Sequence, residues 1–171
     1  MFLLLYRILY KKRISKLILI GVIFPVLVSL IICILSIYFP GIFLSGNDFY
    51  DPLSLIKENP WLLAEIVLLA PLLETPIQYI PLKISSFFFS KYTYISWITI
   101  LTSGIFFGVL HRDGLLYLLS LSFAGIVWAF ICFVLIRRKS YPYPRIVLIH
   151  CLYNSLILAL DYIYTLFVPT E

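Results

Sequence analysis

The sequence predicts an all-α fold, a polytopic membrane helix bundle of about five transmembrane helices with its N-terminus in the cytoplasm. Three observations predict it. Of 171 residues, 63% are hydrophobic and 12% are charged, where soluble domains carry roughly 25% charged residues. The apolar residues come in runs close to the about 20 needed to cross the hydrocarbon of a bilayer. The Lys and Arg between those runs fall almost entirely on one side. A water-soluble chain of this length could not hide so much apolar surface, whereas in a bilayer the lipid is the solvent.

The opening MFLLLYRILY is too short to cross and reads as an interfacial stretch ahead of the basic run Lys11, Lys12, Arg13. It is not expected to be a cleaved signal peptide, because its charges follow the apolar run and no small-residue cleavage site appears. The first span is Ile14–Phe39. The segment Pro40–Pro60 is the one long loop, punctuated by Pro, Gly and Asn, with a short amphipathic piece expected from Pro52 to Lys57. The second span is Trp61–Leu82, with an extension to Phe89 left open. The third is Tyr94–His111, the fourth Gly114–Ile136 and the fifth Pro144–Phe167. Residues 1–59 therefore form an N-terminal unit of basic segment, first span and outer loop. Residues 60–171 form a four-helix core.

Orientation follows from charge. Arg7, Lys11, Lys12, Arg13 and Lys16 precede the first span, Lys83 and Lys91 lie at the second turnaround, and Arg137, Arg138, Lys139 and Arg145 at the fourth. Only Lys57 and Arg112 fall on the other side, with the acidic Asp48, Asp51 and Glu58. Positive charge stays cytoplasmic, so the N-terminus is inside and the C-terminus outside. The net charge of +5 is thus a topology signal. A nucleic-acid partner is not expected, because no soluble face exists on which these cations could cluster. Cys33, Cys132 and Cys151 lie within spans, and an odd count without paired spacing argues against a disulfide framework or a zinc knuckle. Packing is their expected role.

Against this apolar background a few polar residues stand out. Inserting an ionisable side chain at mid-bilayer costs on the order of 2.5–3.5 kcal/mol even on lenient scales, so each one asks for a reason. The second span reads APLLETPIQYIP and places Glu74 among Pro71, Pro76 and Pro81. Each proline removes an N–H and frees a carbonyl one turn back, and such carbonyls must find partners or line a wet cavity. The third span ends GIFFGVLHRDG. Gly104 and Gly108 make a GxxxG step for close helix approach, and Phe107 and His111, four apart, share a face. The fifth span reads PRIVLIHCLYNSL, where His150 and Asn154 are also four apart. Each set has a packing explanation: prolines are common in spanning helices, a histidine at a span end can be an interface anchor, and His or Asn can hold helices together by hydrogen bonds. Taken together, a carboxylate, two imidazoles and a carboxamide on three spans point to one shared polar pocket.

An APxxE glutamate, then FxxxH, then HxxxN, in that order on successive spans, resembles the CPBP family of CAAX proteases and bacteriocin-processing intramembrane endopeptidases, also called Abi. The resemblance covers Trp61 to Asp161. It implies an endopeptidase of a prokaryotic cell membrane that hydrolyses a peptide bond of a membrane-associated peptide or lipidated protein. Glu74 would activate a water, His111 would hold and polarise it, and His150 and Asn154 would donate to the oxyanion; Phe107 would support His111. HExxH, GxSxG and paired-aspartate signatures are absent. Family members carry EExxxR, whereas this chain has Glu74 followed by Thr75, with Tyr79 in place of the arginine; an acid and a base are lost together, so neither is left as an unpaired buried charge. Gln78 is expected to supply part of the missing hydrogen bonding. These departures keep open a second reading, a catalytically inactive relative acting as an immunity or membrane scaffold protein.

No cofactor is expected. The alternative is zinc held by Glu74, His111 and His150 with water in the fourth position, although no HxxxH or HExxH pair preorganises ligands on one helix. A difference of depth also needs an answer. At 1.5 Å per residue, His111 is about 25 Å from the inner end of its span and His150 about 9 Å from its own. The expectation is that Ser140–Pro144 (SYPYP) dips into the bundle as non-helical backbone and carries His150 deeper. The sequence carries no signal for substrate, cleavage site or oligomeric state.

Overall fold

The protein is described by a computed structural model over residues 2–38, 56–88, 93–111 and 114–167. Those residues form helices joined by turns, with no strand among them: α1 (Phe2–Tyr10), α2 (Ile14–Tyr38), α3 (Trp61–Phe88), α4 (Thr93–Leu110), α5 (Leu115–Arg137) and α6 (Pro142–Phe167). Among the described residues α2, α3, α5 and α6 are long and apolar enough to cross a membrane, and α4 is a shorter apolar helix. The chain is an all-α membrane protein. Most of the Pro40–Pro60 loop, with Asp48 and Asp51, and also Lys91 and Arg112, lies outside the described residues.

α5 is the central helix and packs against every other one. From Trp128 to Leu135 it is buried on all sides, which a helix apolar all round requires of its surroundings. Its closest neighbour is α4. A Cβ on Gly104 would run into the Ile126 backbone, one on Gly108 into Ser122, and one on Gly125 into the Gly104 carbonyl. The GxxxG step of α4 therefore works as its spacing predicts, bringing two backbones into contact.

Prolines inside helices organise the rest. Pro25 has no N–H for the carbonyl of Gly21, and the Trp128 indole donates to that carbonyl at 2.8 Å. Pro76 leaves the carbonyl of Leu72 without its helical donor, and the Tyr143 hydroxyl supplies one at 2.9 Å. Around Pro71 the helix widens to a π turn over Glu65–Leu69, with the Ala70 N–H on the Glu65 carbonyl. In that i→i+5 register the donor for Ile66 would be residue 71, a proline, and the Asn154 amide takes its place at 2.8 Å. In lipid no water can satisfy these carbonyls, so Pro25, Pro71 and Pro76 each create an acceptor that a side chain from another helix fills.

One boundary left open is decided, and one expectation changes. α3 continues through Leu82 to Phe88. α6 begins at Pro142, so SYPYP is not a non-helical dip; only Ser140 and Tyr141 of it precede the helix. The difference in depth is removed by stagger instead. Tyr143, in the first turn of α6, lies beside Leu72 and packs with its ring tilted against Tyr79, 5.6 Å between ring centres. α6 thus starts partway along α3, close to the level of Glu74. The α5–α6 turn closes with the Lys139 N–H on the Ile136 carbonyl and the Ser140 N–H on the Leu135 carbonyl, at 3.0 and 3.1 Å. This is a Schellman motif, whose left-handed position favours glycine. Here that position is Lys139, with φ 53°.

Candidate functional site

The carboxylate of Glu74 meets both imidazoles. Its Oε2 lies 3.5 Å from Nε2 of His111 and 3.7 Å from Nε2 of His150. Three helices contribute one atom each: α3 the carboxylate, the end of α4 His111, and α6 His150.

Local structure aims each ring. His111 is the first residue past α4, and its ring folds back so that Nδ1 lies 2.8 Å from the carbonyl of Phe107. A carbonyl only accepts, so Nδ1 carries the hydrogen, and Nε2 is the nitrogen turned to Glu74. The four-residue spacing of Phe107 and His111 holds their rings 4.8 Å apart. His150 sits in an aromatic box, 4.5 Å from the Trp128 ring and 5.5 Å from Phe107. Only 4% of its side chain is exposed, against 27% for those of Glu74 and His111. One imidazole is therefore sealed inside the bundle, while the carboxylate and the other imidazole are partly exposed.

Both separations exceed the about 2.7–2.9 Å of a charge-assisted N–H···O bond. The carboxylate and the imidazoles are thus close neighbours without a short direct hydrogen bond between them. With Nδ1 of a neutral His111 protonated, its Nε2 is an acceptor facing an acceptor carboxylate.

The remaining polar residues go elsewhere. Asn154 follows His150 by one turn, but its Nδ2 donates to Ile66. Gln78 is buried, and its amide reaches the Gly125 carbonyl at 3.3 Å, tying α3 to α5. Thr75 is buried with its hydroxyl unpartnered among the described residues, so it makes no hydrogen bond to Tyr79. Tyr79 packs on Tyr143, and the Lys83 ammonium lies 5.4 Å from its ring centre. A cation thus stands one turn beyond the position where the resemblance places an arginine. Cys132 is a buried free thiol and Cys151 a partly buried one. Among the described residues no group of three His, Cys, Asp or Glu side chains is arranged to hold a metal ion.

Trp128 and Tyr143 are structural partners of the site that the sequence reading did not single out. A signal existed: an indole N–H or phenol inside an apolar span must find an acceptor. Comparison with protein-family models, with curated proteins and with solved structures gave no match to this chain.

Proposed function

We propose that the protein is a multi-pass intramembrane endopeptidase of a prokaryotic cell membrane, in which Glu74 activates water. The observation that carries this reading is the convergence of Glu74 Oε2 with two imidazole nitrogens at 3.5 and 3.7 Å from three different helices. The resemblance to the CPBP endopeptidases in the order APxxE, FxxxH, HxxxN supports it. A water bound on Glu74 beside His111 gives its proton to the carboxylate as its oxygen attacks the scissile carbonyl carbon. His150 Nε2–H donates to the resulting oxyanion. The proton then passes from Glu74 to the departing amine as the C–N bond breaks. Oxyanion donors of this kind lower the barrier by about 2.7–4 kcal/mol each. Substrates would be membrane-associated peptides or lipidated proteins.

A second reading has its own observation. The Asn154 amide is engaged at Ile66, and Thr75 and Tyr79 stand where the resembled family has an acid and an arginine. Both fit a catalytically inactive relative serving as an immunity or scaffold protein. The two separate when purified wild type and Glu74→Gln are each incubated with a membrane fraction and new peptide N-termini are catalogued. The peptidase reading expects termini made by wild type and lost by about 10²-fold or more in the variant, with thermal stability unchanged. Identical catalogues favour the inactive relative.

A further inference from the structure

The inner end of the bundle gathers cations from two segments that are distant in sequence. The α1–α2 corner brings Arg7, Lys11 and Lys12, and the α5–α6 turn brings Arg137, Arg138 and Lys139. The two are joined directly. The Arg138 guanidinium donates to the Lys12 carbonyl at 2.8 Å and lies 6.0 Å from the Tyr10 ring centre. α1 is held beside α5 by Tyr6, whose ring is 5.9 Å from that of Phe133, and by buried Leu9. Its opposite face exposes Leu4, Leu5 and Ile8. That is the arrangement of a helix lying in the membrane interface.

Among the described residues no carboxylate pairs with these cations. The sequence has no Asp or Glu from residue 1 to 47 or from 114 to 160, so α1, α2, α5 and the first part of α6 are free of acids. Lys139 moreover occupies the left-handed position of the turn, where glycine would be the less strained choice. A cation stands there despite the backbone.

We propose that this composite patch binds the phosphate headgroups of anionic phospholipids, with α1 laid into the acyl layer beside them. The partner's chemistry follows from the page: the exposed apolar face of α1 requires hydrocarbon next to the charges, and a lipid offers phosphate and hydrocarbon together. A free anion or an acidic soluble peptide offers only one of the two.

The test uses the full chain in mixed micelles of neutral detergent, containing dioleoyl phosphatidylglycerol or dioleoyl phosphatidylcholine, with retained lipid measured by native mass spectrometry. Retention of phosphatidylglycerol should exceed that of phosphatidylcholine and fall as sodium chloride rises. Each Lys or Arg removed should weaken retention about fivefold. Arg7→Gln with Lys11→Gln, and separately Arg137→Gln with Lys139→Gln, should each reduce it, because each pair comes from one half of the patch. Millimolar inorganic phosphate should not displace the lipid. Equal retention of the two lipids, insensitivity to salt, persistence after either half is neutralised, or displacement by phosphate would overturn the proposal. So would an acidic peptide copurifying in place of lipid. The salt titration on wild type decides the matter even where a variant fails to fold.

Discussion

The Asn154 amide nitrogen and the Ile66 carbonyl oxygen are 2.8 Å apart, and a proline five residues beyond Ile66 is the reason they meet. Pro71 cannot donate, the helix opens into a π turn to accommodate it, and the acceptor left over is satisfied from α6. The same bond holds α6 in the stagger that sets His150 against Glu74. Helix repair and site assembly are thus one event in this bundle.

That linkage predicts a thermodynamic cycle. Asn154→Ala should destabilise the protein by about 1 kcal/mol, the scale of interhelical hydrogen bonds in membranes. Pro71→Ala restores an N–H at position 71, so Asn154→Ala should then cost measurably less. Unfolding of both singles and the double in detergent gives the coupling. Strict additivity would show that Pro71 is not the origin of the Ile66 acceptor.

Gly104→Ala probes the α4–α5 contact. The new methyl would meet the Ile126 backbone, which cannot rotate away as a side chain can. A loss of about 1–3 kcal/mol is expected from overpacking. Ile105→Ala, at an exposed neighbouring position, should cost much less, and equal losses in a thermal-unfolding comparison would argue against a close backbone approach here.

Lys139→Gly should stabilise the fold. At φ 53° a side chain carries a left-handed penalty of roughly 1–2 kcal/mol, which glycine avoids in the folded state. Its greater freedom in the unfolded chain offsets part of that, leaving a gain of about 0.5–1 kcal/mol. A lower melting temperature for the variant would mean that the lysine makes a compensating interaction at the inner surface.

The metal-free mechanism predicts zinc well below one atom per chain on elemental analysis of purified protein, and cleavage unaffected by chelators. Stoichiometric zinc, lost together with activity, would reassign Glu74, His111 and His150 as ligands. Asn154 would keep its structural bond in either case.

The sequence by itself determined the solvent, the helices and the cast of the site. Apolar runs of near-membrane length fixed five of the six helices, since hydrocarbon leaves a backbone no alternative to internal hydrogen bonds. Glu74, His111 and His150 were legible because ionisable groups in lipid are too expensive to be incidental. Counting back from Pro25 and Pro76 also names the acceptors at Gly21 and Leu72. What only the tertiary structure decided is who answers them. Trp128, Asn154 and Tyr143 find their carbonyls through the register between helices, which no single helix encodes. Asn154 shows the consequence: its spacing from His150 puts it on the site's face, yet the π turn at Glu65–Leu69 supplies an acceptor that claims its amide. The depth of His150 was decided in the same way. Helical rise measures position along one span, whereas the start of α6 beside Leu72 is set by how the spans lean on one another.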